Sequence, residues 1–134
     1  MSSDASNPGH EGFAADFQAW FFTETPRDAA VQAGLKERYR AAWADGAKDD
    51  RIAVISFVYL TEDIEGFDLI LAGLQDAEPA VAQSAVSNAL ALLTFHYDLG
   101  PGAREALEAF GREHPGWRGL SEAALTRVPP EGRS

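Results

Sequence analysis

The chain has no cysteine. That excludes disulfide staples, thiolate zinc sites and a cysteine nucleophile, and it leaves the compartment open. Its first residues, MSSDASNPGHEGF, lack a basic region followed by an apolar run, so no signal peptide is expected. No apolar stretch is long enough for a bilayer span. The longest uncharged run, Pro79 to Tyr97, is interrupted by Gln83, Ser84, Ser87, Asn88, Thr94 and His96. The HExxH, GxSxG and GxGxxG motifs are missing, and so is a phosphate-cradling glycine loop with a lysine. With no membrane or export signal, the expected location is cytoplasmic. No cofactor is expected.

Positive charge is scarce: 11 Lys and Arg stand against 21 Asp and Glu, a net charge of −10. Its distribution says more than the sum. Residues 44–78 hold Asp45, Asp49, Asp50, Glu62, Asp63, Glu65, Asp68, Asp76 and Glu78 against Lys48 and Arg51, a net of −7. Residues 26–43 are net positive, and residues 104–134 balance. Phosphate backbones need a basic footprint, so a nucleic-acid partner is not expected. A concentrated acidic surface favours cationic partners and fast, salt-sensitive encounter. The plainer account, that acidic surfaces keep proteins soluble, carries comparable weight.

What is present is helical periodicity. At 134 residues and 46% hydrophobic, the chain suits one globular domain, expected at 11–128 between flexible tails at 1–10 and 129–134. Phe13, Phe17, Trp20 and Phe21 fall on one helix face, and core packing is favoured over a ligand-binding aromatic box. Thr25-Pro26-Arg27-Asp28 marks the next helix start, Val31, Leu35, Tyr39, Ala42 and Trp43 give its stripe, and Gly46 ends it. The β-branched run Ile52–Leu60 has the composition of a strand. Two features place it in a helix: Asp49 or Asp50 as an N-cap, and a register of 32 residues that matches Ala53, Val54 and Leu60 to Ala85, Val86 and Leu92.

Thr61-Glu62-Asp63 is expected to open the following helix, with Ile64, Phe67, Leu71 and Leu74 on its face. The segment from Pro79 to about Tyr97 carries no charge on any face, as expected of a helix buried between neighbours. A further helix is expected over about Pro101–Glu113. A last one carries Trp117, Leu120, Ala124, Leu125 and Val128 before Pro129-Pro130.

Residues 64–93 therefore form a helical hairpin around Asp76-Ala77-Glu78-Pro79, and weaker hairpins flank it with turns at Asp45–Asp50 and Glu113–Gly116. A period in the thirties indicates stacked helical repeats. The pattern resembles HEAT or armadillo-type repeats over roughly residues 35–128. In that family an arginine often follows the turn. Arg51 and Arg118 stand near that place, whereas the central unit has Ala82 and Gln83. The resemblance implies an all-α fold, a short right-handed α-superhelix of about six to seven helices. It implies no particular function.

The candidate functional residues are acids and aromatics at hairpin ends: Asp49, Asp50, Tyr59, Glu62, Asp63, Glu65, His96 and Tyr97. Glu62 and Glu65, three apart, have the spacing of paired carboxylates, although acids at a helix start are more often complementary to its dipole. His96-Tyr97-Asp98 sets a histidine beside an acid, and a metal site there is not expected. The expected function is non-catalytic binding of a basic protein through an acidic face, for example inhibition of a basic bacterial toxin in the manner of an immunity protein or antitoxin. Two rivals are a small-ligand binder or enzyme with a pocket walled by Trp20, Phe21, Tyr39 and Trp43, and a structural homodimer. Monomer and homodimer both remain open.

Overall fold

The computed structural model describes residues 12–22 and 29–129. The two tails (apart from Pro129), His10 and the Thr25–Asp28 start signal lie outside the described residues. Among those described, the fold is all-α: α1 Phe13–Phe21, α2 Ala29–Asp45, α3 Lys48–Thr61, α4 Phe67–Gly73, α5 Pro79–Thr94, α6 Ala103–Glu113 and α7 Arg118–Leu125. Short 3₁₀ turns, Ile64–Gly66 and Pro115–Trp117, lead into α4 and α7. The chain divides into two compact units on either side of the Phe57–Val58 bond.

In the first unit, α1 packs on α2. Phe13, Phe17, Trp20, Leu35, Tyr39 and Ala42 are buried, as the aromatic stripes predict, but Val31 is exposed. The rings of Phe13, Trp20 and Tyr39 surround Phe57 at centroid distances of 6.3, 5.5 and 5.9 Å. Of the aromatic residues proposed as pocket walls, Trp20 and Tyr39 pack against Phe57, Phe21 stacks on Phe17, and Trp43 lies under Arg51. Arg38 bridges to Asp16 at 2.9 Å and lies over the Phe13 ring, which ties α2 to α1 through its polar edge.

Gly46 ends α2 by donating its amide to the Ala42 carbonyl. A Cβ there would lie 2.3 Å from that oxygen and 2.6 Å from Asp50 Cβ, so only glycine allows α3 to begin so soon. The β-branched run is helical, with Ala53, Val54, Ile55, Phe57 and Val58 buried. Burial overrides the strand propensity of these side chains. The expected cap is not Asp49 or Asp50: α3 starts at Lys48, and both acids sit inside its first turn.

In the second unit, α5 is the central element and packs against α4 and α7. Its Val81, Ala82, Ala85, Val86, Ala89, Leu92 and Leu93 are buried. The Asp76 carboxylate accepts the Glu78 amide at 2.8 Å, and Pro79 opens the helix. The predicted helix 64–75 is shorter than expected. Ile64 belongs to the 3₁₀ turn and is 67% exposed, while Phe67, Leu69, Ile70 and Leu74 form the buried side. The helix expected from about Pro101 begins at Ala103, and Trp117 lies in a 3₁₀ turn rather than in α7. Gly111 of α6 meets Ser121 of α7 so closely that a Cβ would lie 3.2 Å from its hydroxyl oxygen. That hydroxyl donates to the Leu107 carbonyl, which satisfies the polar group buried at this crossing.

Candidate partner-binding site

Helices α3 and α5 end in the same way. At the end of α3 the Glu62 amide donates to the Tyr59 carbonyl and the Asp63 amide to the Val58 carbonyl, each at 3.1 Å. At the end of α5 the His96 amide donates to the Leu93 carbonyl at 2.9 Å and the Tyr97 amide to the Leu92 carbonyl at 3.0 Å. This pair of bonds is the Schellman motif, which needs a left-handed residue just past the helix. Glycine usually fills that place. Here Glu62 and His96 do, with φ of 52° and 72°, and among the described residues they are the non-glycine positions with positive φ.

The two helix ends meet. The Tyr97 phenol hydrogen-bonds to the Glu62 carboxylate, which together with burial and the carboxylate's charge holds the Tyr97 pKa above its ordinary value. The Tyr97 ring packs edge-on against Phe67 at 5.7 Å. Glu62 and His96 are exposed and Tyr97 is half-buried. Asp63 caps the following 3₁₀ turn by accepting the Glu65 amide at 3.2 Å, and Glu65 is exposed within that turn. Asp98 turns the chain away by accepting the Gly100 amide at 2.9 Å.

Exposed apolar side chains lie close to this contact along the chain. Of the five large apolar residues that stand exposed among those described, three lie within two positions of Glu62 or Tyr97: Leu60 at 39%, Ile64 at 67% and Phe95 at 61%. The local chain is also one-signed. Residues 52–103 contain Glu62, Asp63, Glu65, Asp68, Asp76, Glu78 and Asp98 but no lysine or arginine. Exposed apolar side chains in an acidic stretch of chain suit a cationic partner.

Five of the eight candidate residues, Glu62, Asp63, Glu65, His96 and Tyr97, thus belong to one pair of adjoining helix ends. Tyr59, half-buried, lies three residues before Glu62 on α3. Asp49 and Asp50 open α3, whereas Glu62 follows its last residue, so the 14-residue helix separates them. Asp50 also has an internal role: its Oδ1 accepts the Ala14 amide at 3.1 Å, capping α1, whose own N-cap residue Gly12 offers no side chain. Glu62 and Glu65 do not share a helix face as their spacing predicts, because α3 ends at Thr61, before Glu62, and Glu65 lies in the 3₁₀ turn Ile64–Gly66. Leu60, Ile64 and Phe95 were not among the expected site residues. Periodicity assigns Ile64 to a buried face, and the 32-residue register equates Leu60 with Leu92, which is fully buried.

Among the described residues no group of three or more His, Asp and Glu side chains could hold a metal ion. A cleft of about 260 Å³ opens between α6 and α7, lined by Glu108, Arg112, Arg118, Ser121, Glu122 and Leu125. It involves none of the eight candidate residues, and its walls carry charges of both signs. No helix among the described residues is long and apolar enough to cross a membrane. The chain matches no family model, no curated protein and no solved structure.

Proposed function

We propose that the protein is a non-catalytic binding module that holds a basic protein partner on the acidic surface where α3 and α5 end. The contact between Glu62 and Tyr97 carries this reading: it joins two sequence-distant helix ends into one surface, anionic and partly apolar. The backbone conformation adds support. A left-handed glutamate and a left-handed histidine cost on the order of 1 kcal/mol each relative to glycine, and both side chains are displayed at this surface. A net charge of −10 would speed encounter with a cation and repel nucleic acid.

In its concrete form, the protein is an immunity-like or antitoxin-like inhibitor of a basic bacterial toxin, built on a HEAT-like superhelix. A rigid helical scaffold with localised charge suits rapid, selective capture of such a partner. The test is a low-salt pull-down with the wild-type chain and with a Glu62→Gln, Asp63→Asn, Glu65→Gln variant whose helicity is first checked by circular dichroism. The expected result is a basic protein held by the wild type, released by salt and lost from the variant, whose toxicity when expressed alone is suppressed by co-expression of this chain. Recovery of only neutral or acidic proteins, or of none, would refute the reading.

A further inference from the structure

Beyond the acidic surface, we infer that the cleft between α6 and α7 binds a short zwitterion, a dipeptide whose first side chain is apolar. Its carboxylate would lie between Arg112 and Arg118, and its ammonium group between Glu108 and Glu122. All four side chains line the cleft, together with Gly111, Ser121 and Leu125. The hairpin sorts their charges. The turn His114–Trp117 joins the two helices, and Arg112 stands two residues before it and Arg118 directly after it. Glu108 and Glu122 each lie four residues farther from the turn, about 6 Å along their helices at about 1.5 Å per residue. Two contacts fix this register: the Ser121 hydroxyl donates to the Leu107 carbonyl, and a Cβ on Gly111 would stand 3.7 Å from Arg118 Cγ.

One end of the cleft is therefore dicationic and the other dianionic. Each helix carries a Glu and an Arg at the spacing of an intrahelical ion pair, yet among the described residues none of these four side chains makes a hydrogen bond or an ion pair. Arg104, also on α6, is by contrast tied to the Val128 carbonyl. Two guanidinium groups at one end of a cleft repel each other. A carboxylate between them relieves the repulsion and accepts their hydrogen bonds, and an ammonium group does the converse for the glutamates. The spacing selects the length. A free α-amino acid carries both charges on one carbon and is too short. In a dipeptide the α-carbons are about 3.8 Å apart and the amine and carboxylate lie about 1.5 Å beyond them, which matches about 6 Å. A volume of about 260 Å³, just under the roughly 300–1,000 Å³ of small-molecule sites, suits a ligand of this size. Leu125 comes three residues after Glu122, at the anionic end, so an apolar side chain fits on the residue that carries the ammonium group.

The test is a titration of the full, isotope-labelled chain with leucyl-glycine, followed by amide NMR shifts. The expected result is saturable shifts confined to α6 and α7, with a Kd below about 10 mM. Acetylating the amine of the dipeptide or amidating its carboxylate should weaken binding at least about fivefold, and so should the Arg112→Gln, Arg118→Gln variant. All four charged residues are exposed, so the variants should keep the wild-type unfolding midpoint, which is measured alongside. In the Glu108→Gln, Glu122→Gln variant acetylation should no longer matter, an outcome that a merely structural effect would not produce. Glycyl-leucine puts the apolar side chain at the cationic end, and δ-aminovalerate has the length without that side chain. Both should bind more weakly than leucyl-glycine. An absence of saturable shifts, blocked dipeptides that bind as tightly as the free one, or equal affinity for all three zwitterions would overturn the inference.

Discussion

At the residue scale the notable choice is a side chain where a glycine would be cheaper. His96 completes the Schellman motif of α5 with φ of 72° and is exposed. His96→Gly should relieve the left-handed strain and stabilise the protein by up to about 1 kcal/mol, offset in part by the greater freedom of glycine in the unfolded chain. Chemical denaturation reads this directly, and a loss of stability would mean that the imidazole makes contacts that outweigh the strain. The Glu62–Tyr97 pair makes a separate prediction. Because the carboxylate raises the Tyr97 pKa, Glu62→Gln should bring it back toward the ordinary value of about 10. The protein has three tyrosines, so the difference between the variant and wild-type phenolate absorbance curves isolates Tyr97. The linkage follows in sign. A folded-state value above the unfolded one gives stability that is complete below about pH 10 and lost as the pH rises through the folded value. Glu62→Gln should flatten that loss. Identical titration curves would show that the two groups are not hydrogen-bonded in solution.

At the element scale, helix content was legible because periodicity and caps act locally. The stripe Phe13, Phe17, Trp20 and the charge-free face pattern of Pro79–Thr94 pointed to buried helices, and both are buried. Even the β-branched run from Ile52 could be placed correctly, through its likeness to the later helix. The ends of elements were harder to read. Thr61-Glu62-Asp63 has the composition of a helix start, but its first two residues close α3 while Asp63 caps a 3₁₀ turn, because a left-handed glutamate has no distinctive sequence signal. The meeting of Glu62 with Tyr97 was suggested only as far as the hairpins were expected to stack. The exposure of Ile64 was hidden by a pattern that placed it on the core face.

Asp50 shows why an acid's role is not legible from its neighbours. Its carboxylate caps α1, 36 residues earlier in the chain, a relation that only the fold creates. Asp50→Ala should destabilise the protein by about 1 kcal/mol, while Asp49→Ala, exposed in the same turn, should cost a few tenths through the helix dipole alone. Equal effects in a denaturant titration would remove the cross-helix cap.

At the scale of the whole molecule, the proposed function depends on whether the carboxylates act together as a field or are each answered locally. Arg38 bridges to Asp16, and residues 104–134 carry equal numbers of acids and bases, whereas residues 52–103 contain seven acids and no lysine or arginine. If these charges repel one another, the compact state holds them closer than the unfolded chain does, and added salt should relieve the cost. The thermal midpoint should then rise as sodium chloride is raised from about 0.01 M to about 0.15 M, over which the screening length shrinks from roughly 30 Å to roughly 8 Å, and should level off beyond. Neutralising Glu65 and Asp68 together, by Glu65→Gln and Asp68→Asn, should raise the midpoint at low salt and reduce its salt dependence. The same unscreened field would draw a basic partner to the end of α3 from beyond contact distance, with a rate that falls as salt is added. A midpoint indifferent to salt would mean that the acids are locally compensated after all. Long-range steering would then fall away, and recognition would rest on the exposed apolar residues alone.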